Sequence, residues 1–323
     1  MSEVWASAPG KAVLSGEYAV LHDAPAICMA VNHRATVRIT RQGRAWHTVS
    51  APGYSSVEGR FVADGAETEW LQGEDEYKLV DLAWRKLSPG VNGGLAIELD
   101  TRAFFDALSG VKLGLGSSAA MTVALTAAMR RSNDVLGEAS RIHQAFQAGA
   151  GSGVDIATSV RGGLLEYRMQ GTRTVQLAWP TGLDYRLVWT GVPASTAGKL
   201  VEFQGRSPKR TLDALVDSAV SMVEAWQSAS GVLAELPAYV ETLRQFSDDY
   251  DLGIFDAGHD KLVAEAQTAG LVYKPCGAGG GDIGILLGAH SEQLDEFLVG
   301  QPESRCRKLE SRLETQGVAW EQR

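Results

Sequence analysis

The most chemically suggestive stretch of the chain is a glycine-rich turn that runs straight into an apolar helix: Lys112, then Gly114-Leu115-Gly116-Ser117-Ser118-Ala119-Ala120. A helix N-terminus presents unpaired amides and the positive end of the helix dipole, which together hold an anion. Glycine lets that backbone approach a phosphate closely. Ser117 and Ser118 suit an N-terminal cap, and a hydroxyl at Ser118 can also ligate Mg²⁺. The pattern is neither GxxxxGK[ST] nor a strand-borne GxGxxG, so a nucleotide held here is held in another fold. Read alone, an ordinary loop and capped helix explain it as well.

Three further segments carry functional chemistry. Ala8-Pro9-Gly10-Lys11, followed by Gly16-Glu17-Tyr18, turns the chain and starts a strand at a lysine. That lysine is either an edge residue or a cation aimed into a cleft. Gly149-Ala150-Gly151-Ser152-Gly153-Val154-Asp155 places an aspartate at a helix start after three glycines. Asp155 either caps that helix or orients an acceptor, accepting a hydroxyl proton where there is one, with Ser152 nearby to bind a substrate oxygen. Lys274-Pro275-Cys276-Gly277-Ala278-Gly279-Gly280-Gly281-Asp282 has more glycine than a hairpin needs, which points to close approach by a ligand. No histidine stands at a spacing that would activate Cys276 as a nucleophile.

These segments need elements to hold them. Short apolar or alternating runs predict strands at 12–14, 19–21, 26–31, 35–39 and 95–99. Residues 41–75 are polar and read as loop or hairpin. Helical spacing covers 75–87, 117–131, 138–148 and 153–160, with strands at 162–167, 174–179 and 185–189. Beyond residue 195 the helices 209–228, 232–246 and 252–269 precede strands at 270–273 and 283–287, a helix at 291–299 and a closing strand at 317–321. Strict βαβ alternation is absent, so the expected class is α+β with antiparallel sheets. The expected division is 1–185, carrying the turn and Asp155, and 186–323, carrying the third glycine run.

Composition narrows the role. Thirty Lys and Arg against 39 Asp and Glu leave a formal charge of −9, against a nucleic-acid partner. A phosphate site must therefore be locally basic or rich in amides. Three scattered cysteines, Cys28, Cys276 and Cys306, make no disulfide framework. The longest uncharged stretch, 113–129, has 17 residues and falls short of a membrane span. With no signal-like N-terminus, a soluble cytoplasmic protein, monomeric or homodimeric, is expected.

Taken together and in order, APGKAVLSGEYAVL, KLGLGSSAAMTVAL and KPCGAGGGDIGILL resemble the three motifs of the galactokinase, homoserine kinase, mevalonate kinase and phosphomevalonate kinase (GHMP) superfamily. The resemblance implies an N-terminal domain like ribosomal protein S5 domain 2, a ferredoxin-like C-terminal domain, and a cleft between them for ATP and a small acceptor. Gly-Ser-Gly-Val-Asp-Ile-Ala-Thr-Ser before Gly162-Gly163, Trp189-Thr190-Gly191 before Pro193-Ala194-Ser195-Thr196, and Asp282 are most similar to phosphomevalonate kinases. Mevalonate kinases usually read GEHAV where this chain has Gly16-Glu17-Tyr18-Ala19-Val20. The decarboxylases of the superfamily lack a lysine at the position of Lys11.

The implied roles follow residue by residue. Lys11 and Asp155 are catalytic; Lys112, Gly114, Leu115, Gly116, Ser117, Ser118 and Ala119 hold ATP. Ser118 reaches Mg²⁺. Tyr18, Ser152, Gly153, Ser195, Thr196, Gly277, Ala278, Gly279 and Gly280 contact the acceptor, a phosphorylated hydroxy acid. Lys199, Arg206, Lys209 and Arg210 form a basic run that either draws in a dianion or is a solvated helix start. Two departures stand out. Eleven residues before Asp155, where mevalonate kinases carry a metal-binding glutamate, stands Gln144. Arg161 replaces a common tyrosine and either touches a phosphate or is exposed. Mevalonate kinase, another small-molecule kinase and a non-catalytic ligand sensor are the alternatives.

Overall fold

A computed structural model describes residues 3–90, 93–149, 151–194, 198, 199, 203, 210–302 and 305–323. Two long strands, β1 (Glu3–Ser15) and β2 (Ala26–Arg41), pair antiparallel along almost their whole length, with bulges at Pro9/Gly10 and Val13/Ser15. Burial alternates in the first half of β1 and the last part of β2, one face on the core and one nearer solvent, while residues 26–31 are buried on both faces. Residues 19–21, expected as a strand, instead form a 3₁₀ turn, Ala19–His22. The chain must reverse between two antiparallel strands, and Tyr18 and Asp23 at its ends take left-handed φ of 59° and 62°.

The polar stretch 41–75, expected as a loop or hairpin, is three strands: β3 (His47–Ala51), β4 (Ser55–Asp64) and β5 (Glu67–Gln72). One face of β4 and one face of β5 stay wet, and the other face of β5 packs through Trp70 alone among large apolar side chains, so these strands need few apolar residues and the sequence pattern hides them. β3 runs parallel to β6 (Leu95–Asp100), the exception to an antiparallel sheet. After α1 (Lys78–Leu87), α2 (Ser117–Arg130), α3 (Leu136–Phe146) and α4 (Val154–Arg161) come β7 (Leu164–Arg168) and β8 (Arg173–Leu177). β2 pairs β7 through its first residues and β6 through its last, so the sheet branches there.

The second sheet is antiparallel, in the order β10 (Val272–Pro275), β11 (Ile283–Gly288), β9 (Asp184–Trp189), β12 (Arg307–Leu309). Helices α5 (Arg210–Ala225), α6 (Ala229–Tyr250), α7 (His259–Thr268) and α8 (Ser291–Val299) accompany it. β12 has three residues, two of them charged, and carries no strand signal in the sequence. α7 starts later than the expected 252 because Gly253, Ala257 and Gly258 all take positive φ. The expected boundary at 185 falls inside β9, but β13 (Ala319–Gln322) returns to pair with β1 in the first sheet.

One continuous apolar core joins the two sheets, from Leu14 and Ile27 through Leu125 to Leu187, Tyr239 and Ile285. α2 is its axis, because nearly all of its side chains are buried. A helix apolar on all sides is stable only when enclosed. Leu125→Ala should therefore cost about 2–5 kcal/mol. It should lower the urea midpoint with an unchanged denaturant slope; an unshifted midpoint would show that α2 is not central to the core.

Candidate active site

Lys11 is not an edge lysine. It pairs Ala30 of β2 on one side, and on the other its N–H donates to Leu115 O at 2.8 Å. Gly10 makes that approach possible: a Cβ there would lie 2.5 Å from Leu115 O and 2.7 Å from the Phe104 ring. The half-buried Lys11 side chain then runs over Gly116, where a Cβ would meet its Cε at 3.1 Å. Its Nζ reaches toward Gly277, 3.8 Å from the position a Cβ would take. One lysine thus bridges the first, second and third motifs. It lines a cleft with Tyr18, Gln147, Ser152, Asp155, Gly277 and Ala278.

The N-terminus of α2 is built as expected but capped differently. Gly116, with φ 79°, is the cap residue and offers no side chain; Ser117 and Ser118 are the first helical residues. The first-turn amides are therefore not satisfied by a cap side chain. Ser118 Oγ lies 3.4 Å from Nε2 of the buried His143, whose burial keeps the imidazole neutral against the pull of Asp155. Gln144, the neighbour that stands for the metal-binding glutamate, is exposed. Lys112 is exposed beside the turn. Together with Ser117, Ser118, Met121, Tyr77, Phe105 and Phe146 it lines a largely apolar cavity of about 310 Å³. Its walls come from four distant segments, which is why no motif marks it.

Asp155 is the second residue of α4, not its cap. Gly153 holds that position at φ 81°, and Asp155 Oδ1 accepts the Ile156 N–H at 3.0 Å. Its half-buried carboxylate lines the Lys11 cleft. The Cys28 thiol, pushed up to about 12 by burial, lies in the opposing fields of Lys11 and Asp155. Ser152 is tied into the turn: its carbonyl accepts from Tyr167 Oη at 2.6 Å and its hydroxyl lies 3.4 Å from the Val154 N–H.

The third glycine run is shared between ligand space and packing. Gly277 and Ala278 line the cleft, and Tyr18 Oη donates to Ala278 O at 2.9 Å. Gly279 and Gly280 are spent elsewhere: a Cβ would fall 2.4 Å from Ile254 and 2.1 Å from Lys199 Nζ. Lys199 itself donates to Leu252 O and Gly253 O, so it is not a loose steering charge. Arg210 opens α5 and is exposed. Ser195, Thr196, Arg206 and Lys209 lie outside the described residues. Arg161 is exposed at the end of α4, and Gly162 behind it is required by the crossing tail, where a Cβ would lie 2.4 Å from Gly317 N. Cys276 is buried and its thiol is pushed up to about 11, which leaves it inert.

Asp282 belongs to the site and was not among the expected contacts. Burial raises its carboxyl, while Ala194 N–H, which donates to it at 3.1 Å, and the charges of Lys11 and Lys112 hold it down. It abuts the glycine turn before α2 so closely that a Cβ on Gly114 would sit 2.4 Å from its Cγ. The backbone at Asp282 takes φ 56°, and the neighbouring Gly281 carbonyl accepts from His259 Nε2 at 3.0 Å. His259 Nδ1 in turn meets Tyr273 Oη at 2.8 Å. A carbonyl only accepts, so Nε2 of His259 carries a proton, and burial, which lowers the imidazole to about 4, keeps the ring neutral.

This arrangement has a glycine-built anion turn at a buried helix, a lysine crossing it, a carboxylate opposite and an apolar cavity beside it. Such an arrangement can hold an anion at the turn and set a cation and a carboxylate beside it. The chain belongs to the GHMP kinases, a family of phosphotransferases that use ATP; residues 77–163 match its family model, GHMP kinases N terminal domain. Among its relatives, a phosphomevalonate kinase of Streptomyces sp. strain CL190 is 31% identical over 87% of this chain and 88% of its own. A mevalonate kinase of Bos taurus is 30% identical over 87% and 85%. The fold is that of Streptococcus pneumoniae phosphomevalonate kinase in complex with phosphomevalonate and AMPPNP, with a TM-score of 0.79, 18% identity, and 96% and 99% of the two chains covered. Among the described residues no helix is long and apolar enough to cross a membrane.

Gly114→Ala should weaken nucleotide binding by at least about tenfold, because the left-handed backbone and the Asp282 contact both resist a side chain. Calorimetry with an ATP analogue reads this, and wild-type affinity would remove Gly114 from the nucleotide site. The neutral imidazoles make a second expectation. Burial lowers both His259 and His47 to about 4. The unfolded chain takes up their protons more readily, so their stabilising contribution is complete above about 6.5 and is lost as the pH falls toward 4. Urea midpoints should fall between pH 7 and pH 5; a flat profile would contradict the assignment.

Proposed function

We propose that the chain transfers the γ-phosphoryl group of ATP to the 5-phosphate of (R)-5-phosphomevalonate, giving (R)-5-diphosphomevalonate and ADP in the mevalonate pathway of isoprenoid biosynthesis. The observation that carries this reading is the path of Lys11, over the phosphate turn at Gly116 and on to Gly277, within the cleft that Asp155 lines. The adenosine lies in the cavity of Tyr77, Phe105 and Met121, and its phosphates reach the amides of Gly114 to Ala119. Lys112 and Lys11 meet their charge.

The acceptor oxygen of a phosphomonoester is already ionised at neutral pH, so the reaction needs no strong base. Asp155 then orients Lys11 and the acceptor, while Lys11 neutralises the charge developing on the transferring group. Closure of Gly277 and Ala278 over the phosphates excludes water. Mg²⁺ usually keeps several waters and binds one or two protein ligands plus substrate phosphates. Ser118 Oγ would hold such a metal, carried in by the nucleotide, and the metal would supply charge neutralisation at the phosphates. His143, packed on Ser118, supplies no negative charge in place of the missing glutamate.

Mevalonate is the second acceptor to weigh, since relatives of both kinds match at similar identity and coverage. Tyr18, donating to Ala278 O where mevalonate kinases usually carry a histidine, favours the phosphorylated acceptor. A coupled ADP-release assay with (R)-5-phosphomevalonate, (R)-mevalonate, galactose and homoserine decides it, with the product confirmed by mass. Turnover of mevalonate alone would overturn the acceptor assignment and make Asp155 a true base. Asp155→Asn should lower turnover by about 10²-fold while leaving nucleotide affinity within a few-fold. Retention of more than a tenth of the activity would remove Asp155 from catalysis.

A further inference from the structure

A buried charge pair joins the two sheets beside the cleft. Glu17 and Lys274 have side chains 2% and 0% exposed, and Lys274 Nζ is ion-paired with Glu17 Oε1. The other carboxylate oxygen accepts from Tyr239 Oη of α6 at 2.7 Å, and that phenol oxygen accepts the Gly16 N–H at 2.7 Å. Lys274 Nζ also donates to Pro275 O at 2.6 Å. One carboxylate therefore ties together the turn after β1, helix α6 and the start of the third glycine run. The residues next to these anchors are cleft walls: Gly16 and Tyr18 on one side, Gly277 and Ala278 on the other.

Stability alone is a poor reason for such a group. A buried pair is often replaced by apolar residues without loss, whereas removing one partner is strongly destabilising. The Tyr18, Phe203, Phe246 and Tyr250 rings already pack this junction. Ring contacts tolerate sliding. A charged carboxylate with fixed partners on both oxygens does not. We propose that Lys274 and Tyr239 are positioning residues for the acceptor: through Glu17 they fix the Tyr18–Ala278 wall against which it lies. This rests on reading that side of the cleft as the acceptor side.

The test compares Lys274→Met, Tyr239→Phe and the double variant Glu17→Gln/Lys274→Met, with kinetics on whichever acceptor the wild-type protein turns over. Lys274→Met should be the least stable, since it leaves Glu17 buried and unpaired. The double variant should recover most of the urea midpoint. It should nevertheless keep a KM for the acceptor raised about tenfold, with the KM for ATP within about twofold, because a small misplacement of a wall is enough for that. Tyr239→Phe should move acceptor KM in the same direction. Recovery of both stability and acceptor KM in the double variant would make the pair merely structural, and a parallel rise in ATP KM would overturn its acceptor-side role. Amide hydrogen exchange needs no turnover and separates failure of this inference from failure of the proposed reaction. In the folded double variant the 276–281 segment should exchange about tenfold faster; unchanged protection would overturn the inference whatever the acceptor.

Discussion

The site depends on backbone approaching where side chains would normally keep it apart. Gly10 lies on Leu115 O, Gly114 on Asp282, and Gly116 under the methylenes of Lys11. At two of these three positions a methyl group would fall inside van der Waals distance of its neighbour, and at Gly116 it would press on Lys11. Because these contacts are made, one lysine of moderate length reaches from the phosphate turn to the third glycine run. A lysine on a less constrained strand would sample many rotamers and lose that reach.

The electrostatics follow from this close packing. The chain carries an excess of acidic groups, so an anion site is assembled from local sources: uncapped amides at α2, the dipole of a largely buried helix, Lys11 and Lys112. Charges in the site are held against burial by specific partners. At Asp282 the Ala194 N–H and two lysines oppose burial, which still raises the carboxyl on balance, and Glu17 is paired by Lys274 and Tyr239. The histidines behave in the opposite way. His143 and His259 are buried neutral and serve as fixed hydrogen-bonding shapes, one beside Ser118 and one holding the Gly281 carbonyl. The same enclosure that strengthens the field of the lysines keeps these imidazoles uncharged.

The two sheets share one core, and the chain crosses between them more than once. β13 returns to β1, and its approach brings residues 314–317 against Gly162 and Gly163. Of the Gly-Gly pair after α4, which in the sequence looks like part of a catalytic segment, Gly162 is explained by that crossing tail and Gly163 by the Gln176 side chain of β8, whose Nε2 lies 1.9 Å from where a Cβ would sit. Gly279 and Gly280 are likewise explained by Ile254 and Lys199. Glycine-rich segments near a site thus serve two masters, ligand approach and chain crossing.

The sequence by itself determined the chemistry that is carried by contiguous residues. Helix α2 and its glycine turn, Asp155 on α4, Lys11 at a turn and the third glycine run all depend on local backbone preferences and on apolar periods of 3.6 or 2. What only the tertiary structure decided is anything assembled from remote segments or from surfaces that need no apolar pattern. The wet strands β4 and β5 and the three-residue β12 exist because a neighbouring strand pairs with them. The 3₁₀ turn at Ala19–His22 exists because two long strands must be joined. Gln144 stands at the expected sequence spacing, yet the rotation of α3 turns His143 to Ser118 instead. Asp282, the cavity of Tyr77, Phe105 and Met121, and the Glu17–Lys274–Tyr239 network unite residues dozens to hundreds of positions apart. Their identities are written in the chain, but proximity across such separations is a property of the packed core, and no local preference encodes it.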